Sequence, residues 1–232
     1  MKDIPDKSID MILCDLPYGT TRNKWDSIIP FEPLWEQYKR IIKDNGAIVL
    51  TSAQPFTTSL INSNKEMFRY DLIFEKTLGS GFLNAKRMPM RYHEEVLLFY
   101  KKLPTYNPIM GEGVRKKGIN KSKDNGSNYG KKTKFDYEYD DMGTRYPKSI
   151  IKFSTGNRTK NQFHPTQKPV ALFEYLIKTY TNEGDLVLDN CAGSGTTGVA
   201  CKNLNRNYIL IEKEPEYIDI INKRLNTLNQ YK

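Results

Sequence analysis

Val187-Leu188-Asp189-Asn190-Cys191-Ala192-Gly193-Ser194-Gly195-Thr196-Thr197-Gly198 reads as a strand that runs into a glycine turn and then into a helix. The glycines fall as G-x-G-x-x-G. The first permits a tight turn, the second lets a ligand approach the backbone, and the third permits close packing of the helix. Helical spacing over 170–180 precedes this strand, and a helix over 196–204, a strand over 208–211 and a helix over 216–228 follow it. The second strand ends at Glu212, an acid placed to accept hydrogen bonds from ribose hydroxyls. The N-terminal half alternates in the same way. Strands are expected at 9–14 and 47–51, helices at 31–43 and 55–64, and further strands at 70–76 and 95–100. Asn45-Gly46 is expected to stop the first helix. Strands alternating with helices predict an α/β fold on a doubly wound, mainly parallel sheet covered on both faces.

Between 104 and 162 the periodicity dissolves into Gly, Lys, Asn and Ser with interleaved tyrosines. A long irregular stretch inside a compact domain is usually functional or disordered. Residues 101–160 hold 15 Lys/Arg against 6 Asp/Glu, which accounts for the whole net charge of +9. A basic field so localised is the footprint of a polyanion partner. No stretch approaches the ~18 apolar residues of a membrane span, so no membrane partner is expected. Three cysteines without paired spacing predict reduced thiols in a cytoplasmic protein. Two histidines without a Cys/His cluster give no zinc site, and no metal is expected.

The glycine turn predicts a nucleoside cofactor. A Walker phosphate loop needs G-K-[ST], but Val199 follows Gly198. A dinucleotide such as NAD remains open on the glycine pattern alone, although only 34 residues follow Gly198. S-adenosylmethionine requires less room: an adenosine and a zwitterionic methionine tail. His164-Pro165-Thr166-Gln167-Lys168-Pro169, just ahead of the helix that leads into the strand, could donate to that tail's carboxylate.

Asp15-Leu16-Pro17-Tyr18 stands at the end of the first strand. A base amine is a poor nucleophile because its lone pair is delocalised into the ring. Two acceptors on its hydrogens would draw the nitrogen toward tetrahedral geometry. The Asp15 carboxylate and the Leu16 carbonyl can be those acceptors, with Pro17 fixing the backbone and Tyr18 offering a face for stacking. In a doubly wound sheet, ligands sit beyond the carboxyl ends of adjacent strands, so Asp15 and Gly193 can meet.

With these motifs in this order, the chain resembles the beta-class DNA amino-methyltransferases over 1–103 and 161–228. The resemblance implies a Rossmann-like S-adenosylmethionine-dependent methyltransferase fold with an inserted target-recognition segment. It divides the chain into a catalytic half (1–103), a basic insertion (104–162) and a cofactor-binding half (163–232) of one domain. Asp15, Leu16, Pro17 and Tyr18 match the family's catalytic motif. Asp189, Gly193, Ser194, Gly195 and Thr196 match its cofactor loop, and Glu212 matches its ribose acid. His164, Thr166, Gln167 and Lys168 match the segment used near the methionine tail. Asn84, Arg87, His93 and Glu94 resemble a middle motif near DNA. Leu16 stands where the family usually has proline. The family also has one more strand shortly before the corner. Here either that edge strand comes from elsewhere or the true start lies upstream, and an incomplete edge would weaken the adenosine pocket and leave an unpaired strand.

The resemblance implies a site-specific enzyme that methylates the N6 amine of an adenine flipped out of double-stranded DNA. An acidic first residue in the corner accompanies adenine in this family. Methylation of cytosine N4 or of RNA, a DNA-binding homologue impaired in catalysis, and a nicotinamide oxidoreductase are the alternatives. Arg87, Arg115, Lys116, Lys117, Lys131, Lys132 and Lys134 are expected at the phosphates. A restriction endonuclease partner and a monomer or homodimer are the expected associations.

Overall fold

A computed structural model describes residues 1–21, 23, 26–120, 137–154 and 167–227. The chain forms two compact units, one made of 1–107 with 149–232, the other of 108–148. In the larger unit, β1 (Ile9–Asp15), β2 (Ile42–Ser52), β3 (Phe68–Ser80) and β4 (Arg91–Phe99) come from the N-terminal part. In the smaller unit lie β5 (Gly111–Glu112), β6 (Lys117–Asn120), β7 (Tyr137–Asp140) and β8 (Thr144–Arg145). The larger unit is completed by β9 (Ile150–Phe153), β10 (Leu186–Asp189) and β11 (Asn207–Leu210). Its helices are α1 (Phe31–Ile41), α2 (Phe56–Ser63), α3 (Val170–Tyr180), α4 (Thr196–Asn203) and α5 (Pro215–Thr227).

Seven strands make one sheet in the order β11-β10-β1-β2-β4-β3-β9. Every described pairing within it is parallel except those of β4, which runs against both β2 and β3. The sheet is therefore mainly parallel, as the alternation of elements predicts. Periodicity does not report direction, so it gives no sign of the antiparallel β3–β4 arm.

Side chains alternate between the two faces of a strand, and β1 shows what that achieves. Ile12 and Cys14 enter one core with Leu34, Trp35 and Tyr38 of α1 and Leu60 of α2. Met11 and Leu13 enter the other with Leu172, Phe173 and Leu176 of α3 and Cys201 of α4. Each such side chain contributes roughly 1.5–3 kcal/mol by leaving water. With both faces covered, β1 is held at the centre of the sheet, and its carboxyl end is fixed in position.

Two local expectations need correction. The Asn45-Gly46 pair does not end α1: Ile42 is already extended, and Gly46 lies inside β2. Ile9 pairs with Ile42 but Met11 with Ala47, so the β2 chain makes an irregular excursion here. Lys43 uses it to reach Asp10 at 2.6 Å. Within the stretch expected to be irregular, β9 pairs parallel with β3. Ile151 is buried and the Phe153 ring meets Tyr175 at 5.6 Å, which is sufficient reason for four residues to join the sheet.

The 108–148 unit holds two small antiparallel pairs, β5 with β8 and β6 with β7. Asp141 ties its turns, accepting from the Lys116 and Gly143 backbone at 2.7 and 3.0 Å. No described helix is long and apolar enough to cross a membrane.

Candidate active site

β1 and β10 are parallel neighbours, in register at Met11↔Val187 and Ile12↔Leu188. Their carboxyl ends therefore lie side by side. A cavity of about 290 Å³ opens beyond them. Asp15, Leu16, Pro17 and Tyr18 line it from β1, and Asn190 through Ser194, with Thr196 and Glu212, line it from the β10 and β11 side. The corner and the glycine elbow, more than 170 residues apart in sequence, thus face one space.

The elbow takes the form its glycines allow. Gly193 and Gly195 have φ of 51° and 81°, and Gly195 precedes the first turn of α4. A β-carbon on Gly198 would fall 2.6 Å from Leu210 Cδ1, so a larger residue here would have to displace the Leu210 side chain packed between α4 and β11. Asp189 lines the cavity but is 2% exposed. The Cys191 N–H donates to its Oδ1 at 3.0 Å, and the Thr197 hydroxyl donates to Oδ2. Burial outweighs these bonds and pushes its carboxyl up to about 6. Glu212 Oε2 accepts from the Gly193 N–H at 2.7 Å, and Oε1 from Lys213 and Glu214 N–H at 2.8 and 3.0 Å. The acid is thereby fixed at the mouth of the elbow, with acceptor capacity to spare. Ser194 donates to Gln167 at 3.1 Å and receives Arg224 at 3.0 Å.

At the corner, Asp15 Oδ1 accepts from the Tyr18 hydroxyl at 2.8 Å and from the Thr51 hydroxyl. The Lys168 ammonium stands 2.8 Å from Oδ1 and 2.7 Å from Oδ2. Among the described residues, none donates to the Leu16 carbonyl. Phe56 stacks on the Tyr18 ring at 5.2 Å, and Lys168 lies 5.4 Å from its centroid. Burial, followed by the Asp15 charge, raises the Tyr18 phenol well above its usual range. Burial works against the Lys168 ammonium, but the charges of Asp15, Tyr18 and Glu94 prevail and hold it firmly protonated. Glu94 is 3.2 Å from Lys168 and 3.0 Å from Lys76. Burial would raise its carboxyl, and the two lysines bring it below the usual range.

Sequence reasoning missed three supports of this corner. Thr51, next to the last residue of β2, stands opposite Asp15 in the parallel register, and a polar residue at the end of an apolar run was its signal. Phe56 is the first residue of α2. Asp26 accepts the backbone N–H groups of Gly19, Thr20 and Thr21 at 2.8, 2.9 and 2.6 Å and folds the loop after Tyr18 over the cavity. Burial opposes its charge, but bonds from Thr21 and these amides lower its carboxyl. An aspartate eight residues past Tyr18 carries no motif.

Other expected residues lie elsewhere. Arg87 is exposed on the connection between β3 and β4. Arg115 is paired with Asp140, which also holds Lys117 at 3.2 Å, while Lys116 is exposed. His164, Thr166, Lys131, Lys132 and Lys134 lie outside the described residues.

A family model described as DNA methylase, covering N6 and N4 methyltransferases, matches residues 9–223. The chain belongs to this DNA methylase family. Among its relatives, Type II methyltransferase M2.DpnII of Streptococcus pneumoniae is 43% identical over 97% of this chain and 85% of its own. DNA adenine methyltransferase YhdJ of Escherichia coli is 26% identical over 100% of this chain and 81% of its own. The crystal structure of an M1.HpyAVI–SAM complex superposes with a TM-score of 0.61 at 26% identity, covering 94% of this chain and 89% of that one. PvuII DNA methyltransferase, cytosine-N4-specific, shares the fold with a TM-score of 0.66 at 16% identity over 97% and 88% of the two chains. The methylase fold is thus the Rossmann-like α/β sheet described above.

Proposed function

We propose that the protein is a site-specific DNA methyltransferase that moves the methyl group of S-adenosylmethionine to the exocyclic N6 amine of a flipped adenine. The observation that carries this reading is the shared cavity: the Asp15–Leu16 acceptors and the elbow at Gly193 and Ser194 open onto the same space of about 290 Å³. The lining suits the donor. Phe173 and Ile211 give apolar surface, and the Glu212 carboxylate gives acceptors for a ribose. The backbone from Gly193 to Gly195, Asn190 and Glu212 would hold it, with Asp189 shaping the turn beneath. Once bound, the donor supplies a methyl group on a sulfonium, which leaves as a neutral thioether.

The chain's own residues prepare the nucleophile. Asp15 and the Leu16 carbonyl accept the two amine hydrogens, localise the nitrogen lone pair and aim it across the cavity. As nitrogen gains the methyl it becomes cationic and sheds one proton toward Asp15 or water, so Asp15 need not be a strong base. Tyr18, braced by Phe56, limits where the base can lie. Arg87, Arg115, Lys116 and Lys117, with Lys131, Lys132 and Lys134, would hold the phosphates. Exposed pairs such as Arg115–Asp140 contribute little and can be exchanged for phosphate. Asp rather than Ser at the corner favours adenine, and the likeness to YhdJ supports that choice. A restriction endonuclease partner fits the Type II relatives, and action on DNA as a monomer or homodimer fits a cytoplasmic site.

Digestion of duplex DNA after incubation with labelled S-adenosylmethionine tests the reading. N6-methyladenine is the expected product. N4-methylcytosine would move the enzyme to the other branch of the family.

A further inference from the structure

Lys168 stands where the substrate amine must bind. Its ammonium contacts both Asp15 oxygens, at 2.8 and 2.7 Å, and its side chain is 10% exposed. Beyond it lies Glu94 Oε2 at 3.2 Å, a buried oxygen that receives no aligned hydrogen bond. The other Glu94 oxygen is held by Lys76 at 3.0 Å. Four charges thus alternate in a row from the cavity inward: Asp15, Lys168, Glu94, Lys76. Asp15 Oδ1 is already taken by Tyr18, Thr51 and Lys168, whereas Oδ2 has Lys168 alone. Oδ2 is therefore the oxygen open to the amine, provided that the ammonium gives way.

We propose that Lys168 is a movable counter-ion, which caps Asp15 in the free enzyme and passes its hydrogen bond to Glu94 Oε2 when the substrate amine takes Asp15 Oδ2. Glu94 Oε2, already ion-paired to Lys168 at 3.2 Å, is the second seat, and Lys76 keeps it in place. The short travel keeps the positive charge beside Asp15 throughout. Without that cation, a carboxylate close to Glu94 and Asp189 would favour its protonated form, and a protonated acid loses acceptor strength. With a fixed cation, the amine would have to share Oδ2 with the ammonium and would find a weaker acceptor there. Glu94 and Lys76 are positioning residues in this arrangement. The inference rests on the methyl-transfer reading.

The test is single-turnover methylation across pH at saturating donor and DNA, with donor affinity measured by calorimetry. Asp15 faces Lys168, Tyr18 and Thr51, with Glu94, Lys76 and Asp189 behind them, and of these only the cation is removed in Lys168→Met. That variant is expected to move the acid limb of the rate profile alkaline by about 1 pH unit or more, with donor affinity unchanged. Lys168→Gln carries the same expectation if the methionine variant does not fold, and Lys168→Arg should keep the wild-type limb. Glu94→Gln removes the charge of the second seat and should slow the step about tenfold, but should add nothing in the Lys168→Met background. An unmoved acid limb in both neutral variants would overturn the proposal. So would a loss of donor affinity with an unmoved limb, which would return Lys168 to the methionine tail. A wild-type enzyme that transfers no methyl group would instead sink the reading beneath it.

Discussion

Asp15 and Asp189 close adjacent parallel strands at the same end of one sheet, and their surroundings assign them different tasks. Asp15 meets two hydroxyls and an ammonium at the cavity wall and retains acceptor capacity on Oδ2. Asp189 is 2% exposed, with both oxygens committed to Thr197 and the Cys191 N–H. A carboxylate at a strand end is therefore not in itself a site. A cation and an open lone pair equip it for chemistry, whereas burial and local donors make it part of a turn.

The contrast breaks if exchanging the two aspartates has similar consequences. Asp15→Ala should lower the single-turnover rate by about a thousandfold, the upper range for a lost electrostatic acceptor, with donor and DNA binding retained. Unchanged turnover would remove Asp15 from the chemistry. Asp189 should act on stability instead. Its carboxyl rises from 3.8 to about 6 on folding, so the native state holds the proton more tightly. Its contribution to stability then falls as pH climbs from about 4 to about 6 and is flat above, a change on the order of 3 kcal/mol. Denaturant titrations of wild type against Asp189→Asn should show that fall only in the wild type, and parallel curves would contradict the buried assignment.

Glu212→Gln sharpens the comparison from the donor side. It removes the charge that faces the elbow and should weaken donor binding about tenfold, while the rate at saturation is largely kept. Calorimetry and single-turnover rates separate the two effects. The smallest effect belongs to the basic segment. Arg115→Gln should lessen the salt slope of DNA binding by about one unit, as expected when one phosphate is no longer neutralised by the protein. An unchanged slope would leave Arg115 with Asp140.

Most of this architecture was legible because it is local. Apolar runs at 9–14 and 186–189 marked the two strands, and the glycine spacing marked the elbow between β10 and α4. What was illegible is non-local. Thr51 reaches Asp15 only because β2 runs parallel to β1, and Lys168 arrives from 153 residues away. The direction of β4 is hidden because the alternation of its side chains is the same whichever way the strand runs. The same blindness hides the Lys76–Glu94 rung, since it exists only once the β3–β4 arm folds back.

The most direct measurement is a crystal structure of the enzyme with an unreactive donor analogue and duplex DNA carrying its target. The account predicts an extruded adenine whose N6 lies within hydrogen-bond reach of Asp15 Oδ2 and the Leu16 carbonyl, facing an analogue seated on Gly193–Gly195. A base amine held by other residues, or an analogue bound away from the elbow, would contradict it.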